Sequence, residues 1–156
     1  MVIDAAKGIE SQTIKLFNIC RKRKIPIFTF INKLDRPAKS PVELIDQLED
    51  ILCIAAFPVN WPIESGESFK GLFDRLTRKV HLFQRTPGGM FKAPFTIHSI
   101  TDESFKELMS QTVYNDFTEE IQLFDHIAAE MDHDEIFKGE MSPVYFGSAV
   151  TNFGVE

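Results

Sequence analysis

The sequence lacks any apolar run longer than a buried strand uses, so nothing in it reads as a membrane span or a secretory signal. Cysteine is scarce. Cys20 and Cys53 lie far apart, show no metal-ligand spacing and sit in apolar patterns, which predicts two reduced, buried thiols in a cytoplasmic protein. Positive charge is in deficit, with 17 Lys and Arg against 23 Asp and Glu and a net charge of −6. That balance argues against a general binder of nucleic acid or membrane surfaces. There is no internal repeat and no low-complexity stretch. The sequence holds no Gly-x-Ser-x-Gly elbow, and His126 and His133 lack a His-Glu-x-x-His frame, while His81 and His98 stand alone. The consecutive acids of Glu130-Met131-Asp132-His133-Asp134-Glu135 read as a solvated helix end rather than a cation site. What remains is ordinary: 44% apolar and 26% charged residues over 156 positions suit one domain with a sizeable core, with room for an inserted subdomain.

Met1-Val2-Ile3-Asp4-Ala5 reads as a strand, and Ala6-Lys7-Gly8 as the turn after it. Ser11 can cap a helix running to about Lys24, with Ile14, Phe17, Ile19 and Cys20 as inward candidates. The run Arg21-Lys22-Arg23-Lys24 has two readings, an RNA contact or a solvated complement to the helix's carboxyl end. A central strand needs neighbours on both sides, so the opening strand carries two expectations: that further strands belong upstream, and that its open edge near Val2 to Ala5 supports self-association. Ser40-Pro41-Val42-Glu43 reads as an N-cap, a proline at the first helical position and a capping-box acid, and its helix turns Val42, Leu44, Ile45, Leu48, Ile51 and Leu52 inward. Ala55 to Asn60 is the next strand, stopped by Trp61-Pro62. Strands alternating with helices predict an α/β sheet with parallel pairing.

From Glu64 to about Ser99 the pattern changes to short alternating pieces, such as Val80-His81-Leu82-Phe83, punctuated by Gly66, Gly71 and Pro87-Gly88-Gly89. These predict hairpins. Asp102 to Met109 and Phe117 to Met131 read as helices, the second with Phe117, Ile121, Phe124, Ile127 and Ala128 on one face. Roughly Glu64 to Gly139 is thus read as a small α+β insertion.

The organising stretch is Asn32-Lys33-Leu34-Asp35, which ends the apolar run Ile25 to Ile31. A buried strand that stops abruptly in polar residues delivers a site at its carboxyl end, where open α/β sheets bind ligands. Asn-Lys-x-Asp there resembles the guanine-recognition motif of GTP-binding proteins. A carboxylate at Asp35 can accept from both N1–H and the 2-amino group of guanine, whereas adenine would leave it unpaired. Such a site rejects the wrong base by a factor on the order of 10⁴. Asn32 can reach the purine N7 while its carbonyl ties down a neighbouring loop, the stem of Lys33 can lie along the base, and Leu34 points into the core. Three fixed residues at about 5% usage each recur by chance at about 10⁻⁴ per position. The plainer reading of Asp35-Arg36-Pro37 is a turn. Pro143-Val144-Tyr145-Phe146 forms a second strand that ends in Gly147-Ser148-Ala149, small residues whose backbone can approach a ligand; the Ala149 N–H could donate to guanine O6.

On these residues the chain resembles a translational GTPase, most closely the bacterial peptide chain release factor three family. The framework is carried by Val2 to Glu10, Phe30 to Arg36 and Pro143 to Ala149, which are also similar to elongation factor G. Trp61-Pro62-Ile63, Phe69-Lys70-Gly71-Leu72 and Asn152-Phe153-Gly154-Val155 tilt the choice towards the release factors. The resemblance implies an α/β fold in which the last three strands of a P-loop-GTPase-like parallel sheet, residues 1–63 and 140–156, carry a small α+β subdomain inserted at 64–139. It assigns Asn32, Lys33, Asp35, Ser148 and Ala149 to guanine binding. It also implies GTP or GDP with Mg²⁺ in the whole protein, the ribosome and class-one release factors as partners, and release of those factors after termination. No G-x-x-x-x-G-K-[ST] occurs in this sequence, so no phosphate cradle, metal ligand or catalytic residue is assigned, and weak or undetectable nucleotide affinity without hydrolysis is expected. Two alternatives stay open: a non-catalytic module that binds ribosome or factor through the insertion, and part of an elongation factor G-like GTPase.

Overall fold

The computed structural model describes residues 1–83, 95–100, 102–127 and 130–154. Its first sheet is parallel and has four strands, β1 (Val2–Asp4), β2 (Thr29–Asn32), β3 (Ala55–Pro58) and β8 (Met141–Phe146), in the order β1-β2-β8-β3. That is one strand more than the three expected from the family framework, because β1 joins the sheet in full register, Val2 on Phe30 through Asp4 on Asn32. β1 occupies one edge. The apolar lead-in from Ile25 is mostly not ladder: β2 begins only at Thr29.

Helix α1 (Ser11–Lys22) starts from Glu10 rather than Ser11, and no side chain caps it. Its seam is narrow. Phe17 is buried and Cys20 half-buried, but Ile19, expected inside, is 49% exposed. Helix α2 (Pro41–Leu52) starts as its sequence signature predicts, with Ser40 Oγ accepting from the Glu43 N–H at 3.1 Å and Pro41 opening the helix, but the Glu43 carboxylate takes Lys39 and Gln47 in place of a capping-box bond; Leu44, Ile45, Leu48 and Leu52 form its buried stripe. Ile51 lies off that stripe and is 45% exposed. Cys53 is also exposed, contrary to expectation, because it terminates α2 in the left-handed region at φ +51°.

The second sheet is antiparallel, with β4 (Asn60–Ile63), β5 (Gly71–Asp74), β6 (Lys79–Phe83) and β7 (Phe95–Ser99) in sequential order. The expected hairpins are therefore present, while Pro87-Gly88-Gly89 falls outside the described residues. Trp61-Pro62 does not stop a strand but lies within β4, where Pro62 pairs with Leu72. β4 is an edge strand, the place where a residue without an N–H is tolerated. The antiparallel unit thus begins at Asn60, four residues before the boundary read from the sequence.

Helices α3 (Glu103–Glu107), α4 (Gln111–Ile127) and α5 (His133–Lys138) complete the chain. α4 starts six residues earlier than expected and buries Phe117, Ile121 and Phe124. The acidic run is the start of α5 rather than the end of α4: Asp132 caps it by accepting from the N–H groups of Asp134 and Glu135. Among the described residues no group of three His, Cys, Asp or Glu side chains is placed to hold a metal ion, and no helix is long and apolar enough to cross a membrane.

One core spans both sheets. Trp61 is fully buried at the junction, its indole N–H donating to Glu120 of α4 at 2.8 Å and its ring 4.1 Å from Phe124 and 5.4 Å from Phe146. Arg75 adds a second brace: it donates to the Pro58 carbonyl at 3.0 Å and lies over the Phe57 ring. Burial lowers its pKa, partly offset by Asp125.

Candidate functional site

β2 and β8 are neighbours in the ladder and stop at adjacent levels, Asn32 and Phe146, so the loops that follow begin side by side. The ladder is prolonged by the Gly147 N–H, which donates to the Ile31 carbonyl at 2.9 Å. Position 147 must be glycine: a Cβ there would meet the Phe153 carbonyl oxygen at 2.6 Å and the Phe30 ring at 2.9 Å.

Asn32 ties the two loops together. Its Oδ1 accepts from the backbone N–H of Lys33 at 2.8 Å and from that of Ala149 at 3.0 Å. Two N–H donors identify the carbonyl oxygen as the inward atom, which leaves the Nδ2 amide without an acceptor among the described residues. The tie expected of the Asn32 carbonyl is thus present. The Ala149 N–H, expected to serve a ligand carbonyl, is instead taken by Asn32.

The second tie runs through Asp35. Its Oδ1 accepts from the Ser148 hydroxyl at 2.5 Å, and its Oδ2 lies 3.7 Å from Arg36 Nε. Ser148 is fully buried, whereas the Asp35 side chain keeps 18% of its surface open to solvent. One carboxylate oxygen is therefore fixed and the other retains accepting capacity. Leu34 is fully buried between them, as its position predicts. The turn is real as well, with the Arg36 N–H donating to the Lys33 carbonyl at 3.2 Å.

Lys33 sits at φ +71°, a backbone conformation that costs a non-glycine residue about 1 kcal/mol or more and that recurs at ligand sites. Its ammonium donates to Asp4 Oδ2 at 2.7 Å. That bond, ahead of the Ala6 N–H, holds the Asp4 carboxyl below its ordinary pKa against the opposing effect of desolvation. The Lys33 side chain is still 43% exposed, so its stem remains accessible above the strand ends. Asp4 was not singled out from the sequence. It ends β1 level with Asn32, and a polar residue closing a neighbouring parallel strand is the signal that could have found it.

All five residues expected at the site therefore meet, drawn from segments more than a hundred residues apart. The arrangement offers one anchored carboxylate, one amide donor without an acceptor among the described residues, a half-exposed lysine stem whose ammonium Asp4 holds, and a small-residue wall. It can read a planar heterocycle that displays two donors beside an acceptor.

Comparison with known proteins bears on this site. Residues 1–156 match the family profile described as the elongation factor Tu GTP binding domain. The chain is 54% identical over its whole length to peptide chain release factor 3 of Gloeobacter violaceus, and 47% identical to the proteins of that name from Trichodesmium erythraeum and Acaryochloris marina. In each case all of the chain is covered, and it spans 29% of the relative's length. None of these similarities bears on self-association through the β1 edge.

Proposed function

Because the chain belongs to the elongation factor Tu GTP-binding domain family, we propose that the junction of the β2 and β8 loops is the guanine-base pocket of a translational GTPase. The observation that carries this reading is the pair of ties across that junction, Asn32 to Ala149 and Asp35 to Ser148. Asp35 accepts from the N1–H and 2-amino groups, Asn32 donates Nδ2 to N7, and the Lys33 stem covers one face of the ring. Ser148 fixes the reading carboxylate. Ala149 fixes Asn32 in place of donating to the base.

GTP and GDP are then the ligands, with Mg²⁺ required where the phosphates are held, and GTP hydrolysis is the reaction of the whole protein. This sequence contains no G-x-x-x-x-G-K-[ST], so its residues supply base recognition and none of the phosphate chemistry. Residues 1–59 with 140–156 form the GTPase portion, and the segment from 60 to 139, β4 included, is its inserted subdomain. The whole protein then acts in peptide-chain release, with the ribosome and class-one release factors as its partners, a reading supported by the name its relatives share, peptide chain release factor 3.

The test is a two-dimensional amide NMR titration of the 156-residue chain with guanosine, adenosine and xanthosine monophosphates at millimolar concentration. Guanosine monophosphate should shift the amides of Lys33 to Arg36 and Ser148 to Val150, and adenosine monophosphate should not. In Asp35→Asn the guanosine response should fall at least about tenfold, and the xanthosine compound, whose C2 carbonyl can accept from the new amide, should gain one. Equal responses to guanosine and adenosine compounds, or none from a folded chain, would overturn the assignment.

A further inference from the structure

The pocket's second loop is closed on itself by two backbone hydrogen bonds, from the Ser148 N–H to the Phe153 carbonyl at 3.0 Å and from the Phe153 N–H to the Ser148 carbonyl at 3.2 Å. Phe153 therefore sets where Ser148 stands. Its own ring is buried and stacks on Phe69, with centroids 3.9 Å apart and planes 13° from parallel, while Phe83 lies 5.6 Å away. Phe83 ends β6 and Phe69 leads into β5, so the stack belongs to the antiparallel unit.

The same unit touches the pocket twice more. The Gly66 N–H donates to the Leu34 carbonyl at 2.8 Å, inside the Asp35 turn. The Asn60 side chain grips both backbone groups of Phe146, accepting from its N–H at 2.6 Å and donating to its carbonyl at 3.1 Å, one residue before Gly147.

Resting on the reading of that junction as a guanine pocket, we infer that Phe69 and Phe153 are positioning residues for base recognition. Neither side chain is among those that would meet the base. Their stack holds the Ser148–Phe153 bridge in register, the bridge holds the Ser148 hydroxyl on Asp35, and Asp35 reads the guanine. The antiparallel unit is thereby wired to the pocket, and a partner that displaces Phe69 loosens the grip on the nucleotide.

The experiment measures amide hydrogen exchange and the guanosine monophosphate titration on the same chain, in wild type, Phe69→Leu, Phe153→Leu and the control Phe124→Leu. Leucine keeps apolar volume but removes the stack. Phe124 is about as buried as Phe153 but packs on Trp61 and takes no part in the stack. Exchange at Ser148 and Phe153 should accelerate about tenfold in the first two variants relative to the slowest core amides, and guanine affinity should fall about two- to tenfold. Phe124→Leu should lower global stability without changing that ratio, and Phe69→Tyr should restore it. The inference is overturned if both stack variants leave the Ser148 and Phe153 amides unchanged, or if Phe124→Leu accelerates them equally. A wild-type chain that ignores guanosine monophosphate while Ser148 exchange still rises in both variants refutes the pocket itself. The stack then anchors a loop and positions no base.

Discussion

Replacing Asn32 separates its two duties. In Asn32→Ala the N–H groups of Lys33 and Ala149 lose the acceptor that holds them at 2.8 and 3.0 Å. A hydrogen bond of this kind contributes about 0.5–1.5 kcal/mol net, and the Ala149 end can recover water, so the expected loss is about 1–2 kcal/mol. For a chain of this size that is a fall of roughly 2–8 °C in melting temperature. Asn32→Asp keeps the acceptor and strengthens it by charge, but sets a second carboxylate beside Asp4, its register partner across the β1–β2 ladder. The two effects oppose each other, and the net change should stay within about 0.5 kcal/mol. Both variants lose the Nδ2 donor, so both should lose the response to guanosine monophosphate. Urea denaturation followed by circular dichroism, run alongside the NMR titration, checks the pair. If Asn32→Ala is no less stable than Asn32→Asp, the side chain does not tie the loops and the reasoning fails.

Acid should act through Asp4. Its folded pKa lies below the ordinary value because the Lys33 ammonium donates to it, so the unfolded chain takes up the proton first; the contribution is complete above the ordinary aspartate pKa and disappears as pH falls through the folded value. The gap in urea midpoint between wild type and Asp4→Asn should therefore be widest near neutrality and close below about pH 4, and a gap that is constant from pH 7 to pH 3 would show that the pair is not coupled to folding. Trp61→Phe removes part of a fully buried ring and the donor to Glu120 at 2.8 Å, and should cost about 2–3 kcal/mol by urea denaturation. A cost under 0.5 kcal/mol would mean that the junction repacks freely.

The parts of the fold legible in the sequence were those with local chemical causes. Ser40 and Pro41 announce a helix start because one accepts an orphan N–H and the other has none to satisfy, both within four residues. Leu34 between polar neighbours announces a buried position, and the Asn32 to Asp35 and Gly147 to Ala149 segments announce strand ends because polar and small residues break an apolar run. Legibility ended where distant packing decides. Ile19, Ile51 and Cys53 sit in patterns indistinguishable from buried ones, and only the placement of neighbouring elements leaves them exposed. Pro62 looks like a strand terminator until β4 proves to be an edge. Phe153 gave no periodic signal at all, since its partner Phe69 lies 84 positions away, in the segment leading into β5.

The bond from Ser148 to Asp35 spans 113 positions, and that from Ala149 to Asn32 spans 117. Closing so long a loop from a disordered chain costs about 4 kcal/mol in entropy, a sum no single hydrogen bond returns. Pairing of β2 and β3 with β8 holds the two loops side by side, so the sheet rather than these hydrogen bonds offsets that cost. A chain emerging from its amino end at about 5–20 residues per second holds Asp35 without its Ser148 bond for roughly 6–23 s before Ser148 exists. Through that interval the carboxylate lacks its mate, and the face built by Asn32 and Asp35 takes shape only once β8 and the loop after it are delivered.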